Sequence, residues 1–109
     1  MHSVTSNAVA NMVSKVETWS NDGIELYKIG KIVYGLFLRQ ISGSSPFTMS
    51  DSVPWKPLAV VRVAFFKNNN DTYAGQFIIT TTGVVQCYLG GGSFLGGDYC
   101  CSFCYMTND

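Results

Sequence analysis

Short apolar runs recur along almost the whole of this 109-residue chain, each cut off by glycine, proline or a polar turn. IELYKI at 24–29 and IVYGLFLRQI at 32–41 flank the two-residue step Gly30-Lys31, the spacing of two antiparallel strands around a tight, glycine-first hairpin turn. Residues 42–57 hold all three prolines and a cluster of Ser and Gly, which predicts a long loop with one short strand around 47–49. The pattern then continues through LAVVRVAFF at 58–66, the polar turn KNNNDT and YAGQFIITT at 73–81. After the Thr-Thr-Gly step at 81–83 come VVQCYL at 84–89, GGGSFLGG at 90–97 and DYCCSFCYM at 98–106. Principal strands at this spacing predict an all-β fold, an antiparallel sandwich or barrel. The runs at 58–66 and 99–106 are more uniformly apolar than half-wet strands allow, so a surface beyond the core of one chain is expected to be covered, which favours self-association.

The front of the chain has a different rhythm. In SVTSNAVANMVSKVETW, residues 3–19, Thr5 has the chemistry of an N-cap, with Val4 and Val9 at the positions of a hydrophobic staple. Val9, Met12, Val16 and Trp19 repeat at three- and four-residue intervals and Val13 broadens the stripe, while Asn7, Asn11, Lys15 and Thr18 fall on the other side. This predicts an amphipathic helix that begins near Ser6 and is stopped by Asn-Asp-Gly at 21–23. A helix of roughly 14 residues is marginal alone in water, so its stripe must lie on the chain's own sheet or on copies of itself in a coiled coil. A division into a helical segment, 1–22, and a β domain, 23–109, follows.

Composition removes several function classes. Seven basic residues balance seven acidic ones without a charge block, so the basic footprint of a nucleic-acid binder is missing. No apolar run is long enough for a membrane-spanning helix, and insertion into a membrane is not expected. The cysteines, Cys87, Cys100, Cys101 and Cys104, all fall within predicted strands, the C-x-x-C step at 101–104 lacks a matching second pair, and the only histidine is His2; no metal site is expected. Adjacent strand positions face opposite ways, which leaves a bridge from Cys87 to a neighbouring strand or four reduced thiols packed as small hydrophobes. Nucleophilic catalysis needs an oriented base that His2 does not supply, the acids sit mostly at strand ends and turns, and no Lys-Ser or Lys-Thr follows the glycine loop; neither enzyme activity nor a cofactor is expected.

Aromatic rings beside amides and carboxylates suit sugars, by stacking and hydrogen bonding. On that ground the candidate ligand residues are Trp55 in the long loop, Asn69 and Asp71 in the polar turn, and Phe94 and Leu95 in the glycine loop. For Trp55 the alternative is packing of the loop against the sheet, and for Phe94 and Leu95 it is a position tucked beneath their loop.

Two parts of the chain together resemble a known family. SVTSNAVANMVSKV is similar to a short helical motif of the form V-T-S-N-A-V that recurs ahead of the terminal domain in tail-fibre and baseplate-associated proteins of bacteriophages and prophages. KIGKIVYGLFLRQI, VPWKPLAVVRVAFF, FIITTTGVVQCYL and YCCSFCYM follow the strand pattern of their C-terminal heads, although residues 52–57 have Trp where the family's Leu-Pro-x-Gly-Tyr-x-Pro-like segment has Tyr, and lack its Gly. The resemblance implies a jelly-roll-like antiparallel β-sandwich preceded by the end of a trimeric coiled-coil stalk. Val9, Met12, Val13, Val16 and Trp19 would then form the trimer seam. It also implies a homotrimeric head that recognises a bacterial surface glycan or protein, joined to an upstream fibre or baseplate protein in a virion assembled in the host cytoplasm. A trimerisation cap of the fibre without receptor contact is the alternative.

Overall fold

The computed structural model of the chain describes residues 15–67 and 72–109. These residues form β1 (Glu17–Asn21), β2 (Ile24–Ile29), β3 (Ile32–Gly43), β4 (Phe47–Thr48), β5 (Val61–Lys67), β6 (Thr72–Ile79), β7 (Val85–Leu89) and β8 (Phe94–Met106). All eight strands join one antiparallel sheet in the order β1-β2-β3-β8-β5-β6-β7-β4, and no helix occurs among the described residues.

The first strand corrects the expected helix over its last turn. Residues 3–14, with Val9, Met12 and Val13, lie outside the described residues, but Val16 immediately precedes β1 and Trp19 lies within it. Asn21 pairs with Ile24 around Asp22-Gly23, whose φ angles are 49° and 94°. Positive φ at both central positions is the type I′ hairpin geometry that Asp-Gly favours, so the tripeptide that read as a helix stop turns one strand into the next. A Cβ on Gly23 would stand 2.5 Å from the Leu38 carbonyl oxygen. Residues 17–21 therefore belong to the sheet. The Gly30-Lys31 turn matches its expectation, with Ile29 opposite Ile32, as does the short strand β4, which pairs with β7.

The sheet is curled into a half-barrel. Phe37 of β3 and Phe77 of β6 have ring centroids 5.0 Å apart although β8 and β5 lie between their strands; in a flat sheet three steps of about 4.8 Å would separate them by about 14 Å. In the middle of the half-barrel β8 and β5 pair through Phe66 with Cys100 and Lys67 with Tyr99. Inside it, Phe77 also meets Phe103, and Phe103 stacks on Tyr105, while Phe65, Phe94 and Tyr99 form a second aromatic group. Ile24, Leu26, Val33, Ile41, Ile79 and Val85 fill the space around them.

The open end is closed by the loop after β4. Met49 and Val53 donate backbone N–H groups to the carbonyls of Val85 and Gly83, and Leu58 donates to that of Met106. The loop carries Trp55 over the last inward position of β2. There Lys28, only 9 % exposed, holds its Nζ 5.8 Å from the Trp55 ring centre and 3.9 Å from Glu17. An apolar lysine stem buried with its charge led outward is an ordinary end to a core.

Gly35 faces this core opposite Phe103, whose ring atoms lie 2.2 Å from where a Cβ would stand. Gly35→Ala is expected to lower stability by about 1–3 kcal/mol in urea denaturation, because Phe103 is wedged between Phe77 and Tyr105 and overpacking must move them all. Gly91→Ala, with nothing near its added methyl, is expected to stay within about 0.5 kcal/mol.

Candidate functional site

The residues picked out by sequence separate in the structure. Asn69 and Asp71 lie outside the described residues. Trp55 is half-buried, packs against the core under Lys28, and its backbone carbonyl accepts the Tyr105 hydroxyl at 2.7 Å. It closes the domain as its packing alternative required. Phe94 takes the tucked position and Leu95 does not: Phe94 is 3 % exposed and stands edge-on to Tyr99, whereas Leu95 beside it is 77 % exposed. A bulge explains the arrangement. Ser42 pairs with Leu95 but Gln40 with Asp98, so β8 carries one extra residue around Gly96, whose φ is 84°. That residue lets Phe94 and Tyr99, five positions apart, point to the same side.

The thiols follow the strand alternation. Cys87 is buried in the core, Cys101 packs against it from β8, and Cys104 is exposed on the opposite face of β8; these three are free. Burial pushes the Cys87 thiol up to about 12, against a smaller opposing pull from Arg39. Cys101 is likewise pushed up to about 12, mainly by burial and then by Cys87 and Cys100. Burial, and secondarily Asp109, raises the Tyr105 phenol. Among the described residues no three His, Cys, Asp or Glu side chains gather as a metal site. Glu17 meets Lys28, Asp22 meets Arg39 at 3.0 Å, and Asp51 accepts a hydrogen bond from Asn21.

Two outer surfaces stand out. On β2, β3 and β8 many of the residues that alternate with the core set are themselves apolar: Ile29, Ile32, Tyr34, Leu36, Leu38 and Met106 are all exposed, with Glu25 and Ser102 on either side of Leu36 as polar interruptions. Register makes them neighbours, with Ile32 between Ile29 and Met106, and Tyr34 between Tyr27 and Cys104. An antiparallel sheet facing water normally alternates apolar with polar, and a continuous apolar face marks a contact surface.

The outer face of β5, β6 and β7 holds a groove of about 480 Å³. Two cross-strand rows build it: Arg62, Ile78 and Gln86, then Gln76 and Tyr88. Ile78 is 7 % exposed yet lies outside the core cluster, and it forms the floor. Tyr73 and Tyr88 line one end and Thr80 the other; the Tyr88 hydroxyl donates to Gln86 Oε1 at 3.2 Å, and Gln86 Nε2 donates to Thr48 at 3.4 Å. Gly75 and Gly90 also line it, and a Cβ on Gly75 would collide with the Tyr88 carbonyl oxygen, so glycine there lets β6 and β7 pair closely. The polar residues Arg62, Gln76 and Gln86, set singly within apolar runs, were the signal in the sequence for this face, but only strand order brings Arg62, Gln76 and Tyr88 side by side.

No protein-family model matches the chain, and no curated protein does.

Raised thiol pKa values carry a stability consequence. Between the ordinary thiol value of 9.0 and the folded value of about 12, the unfolded chain loses protons that folded Cys87 and Cys101 keep. Stability is thus fully present below 9.0 and is lost as pH rises through this window. Thermal unfolding followed from pH 8 to 11 is expected to show a falling midpoint, less steep in Cys87→Ala once corrected for the cost of that substitution. A maleimide at pH 8 is expected to spare Cys87 and Cys101 until denaturant is added, as counted by mass spectrometry.

Proposed function

We propose that the chain is a receptor-binding head of the kind found on phage and prophage tail fibres. In this reading it is a homotrimer, carried by an upstream fibre or baseplate protein, that attaches to a bacterial surface glycan or protein without chemical turnover. The observation that carries the reading is the largely apolar outer face of β2, β3 and β8, on which six large side chains are open to water and Ile29, Ile32 and Met106 stand side by side. At about 25 cal/mol per Å² of apolar surface, leaving such a face wet forgoes several kcal/mol that a neighbouring copy recovers.

The reading takes the curled sheet as a jelly-roll-like sandwich, with β1-β2-β3-β8 as one layer and β5-β6-β7-β4 as the other. The Phe37–Phe77 contact between the layers supports it. Assembly and recognition then use opposite outer faces, so the groove stays open when subunits associate. The stripe of Val9, Met12, Val13 and Val16 is a second seam, ahead of β1. Folding and assembly in the host cytoplasm suit a domain whose Cys87, Cys101 and Cys104 are free.

Light scattering on a size-exclusion column is expected to return three times the chain mass of 11.9 kDa. Leu36→Lys with Leu38→Lys is expected to return the monomer with an unchanged far-ultraviolet spectrum. The same double variant should speed labelling of Cys104, which the trimer covers. A monomeric parent chain would overturn the reading.

A further inference from the structure

We propose that the groove on β5, β6 and β7 is a saccharide site selective for a sugar bearing a carboxylate, with Arg62 as the anion contact. The proposal rests on the receptor-binding reading above and names its ligand class. The volume, about 480 Å³, lies in the range of small-ligand sites, roughly 300–1,000 Å³.

The groove's chemistry is that of a ring with many hydroxyls. Ile78 and the faces of Tyr73 and Tyr88 supply apolar surface, and Gln76 and Gln86 supply amides that both donate and accept. The charge is what narrows the class. Arg62 lines the groove with no hydrogen bond or ion pair to any described residue, and no described lining residue is acidic. Arg39 shows the contrast: its guanidinium meets Asp22 at 3.0 Å, donates to the Gln40 carbonyl at 2.7 Å and lies over the Phe47 ring. A neutral sugar would leave the Arg62 fork with partial partners, whereas a carboxylate matches its paired N–H groups. Nucleic acid is disfavoured, because a single arginine in a chain of zero net charge makes no phosphate-tracking surface.

The test is calorimetric titration of the full chain with trigalacturonic acid, with neutral galactotriose and with galactose 6-phosphate, at low and at physiological salt. The acidic trisaccharide is expected to bind about tenfold more tightly than the neutral one, the scale of one charge-assisted contact. Higher salt should narrow the gap. Arg62→Gln, an exposed position whose folding is checked by circular dichroism, should bring the ratio close to one, while Tyr88→Ala should weaken both trisaccharides alike. Equal binding of the two by the parent chain, unmoved by Arg62→Gln, overturns the carboxylate assignment and leaves glycan recognition standing. Preference for galactose 6-phosphate over trigalacturonic acid assigns the arginine to phosphate and overturns it too. Binding of none of the three overturns this inference and the glycan form of the receptor reading together.

Discussion

The contact between Phe37 and Phe77, continued through Phe103 to Tyr105, brings the two halves of a single ladder of strands face to face. A flat eight-stranded sheet would have two wet faces and no interior. Once curled, it encloses Ile24, Leu26, Val33, Phe65, Ile79 and Val85, and the hydrophobic effect has a core to act on. Gly35 makes the curl sterically feasible, because the Phe103 ring occupies the space where any other residue would carry its Cβ. Aromatic pairs add about 0.5–1.5 kcal/mol each beyond the area they bury, but their larger consequence is directional: they decide which face of every strand is inside.

That decision also moves the candidate site. Trp55, an obvious stacking platform in the linear chain, is used to seal the end of the core, with one face taken by Lys28 and its carbonyl by Tyr105. Phe94 is drawn inward by a glycine bulge and joins Phe65 and Tyr99. The long loop is held at Met49, Val53 and Leu58 by backbone hydrogen bonds to strands β7 and β8 and the turn before β7. Exposed polar chemistry is left on the strands, where Arg62, Gln76, Gln86 and Tyr88 gather on adjacent rows.

The outer surfaces of the two halves differ in kind. β2, β3 and β8 present mainly aliphatic and aromatic side chains, interrupted by Glu25 and Ser102, whereas the groove on β5, β6 and β7 mixes apolar surface with amides, hydroxyls and one guanidinium. Such an asymmetry suits a subunit that meets its own copies on one side and a ligand on the other. The uniformly apolar run at the end of the chain foreshadowed it: Cys101, Phe103 and Tyr105 face the core while Cys104 and Met106 face out.

The amino-acid sequence by itself determined every strand but β1, which reads as the end of a helix, and most of the turns, because apolar runs and glycine or proline punctuation are local signals. It also located the short strand β4 and the apolar excess. Asn-Asp-Gly reads as a helix stop in the linear chain, but the same residues make a type I′ turn, and pairing of Glu17–Asn21 with β2 decided for the turn. The face taken by Phe94 depended on one extra residue in β8, which is visible only when β8 is set beside β3. Strand order, the closing of the sheet by aromatic rings distant in sequence, and the meeting of Arg62 with Tyr88 were decided by tertiary structure alone. The reason is physical: periodicity says that a strand has two faces, but only its neighbours determine which face is buried and what stands beside the other.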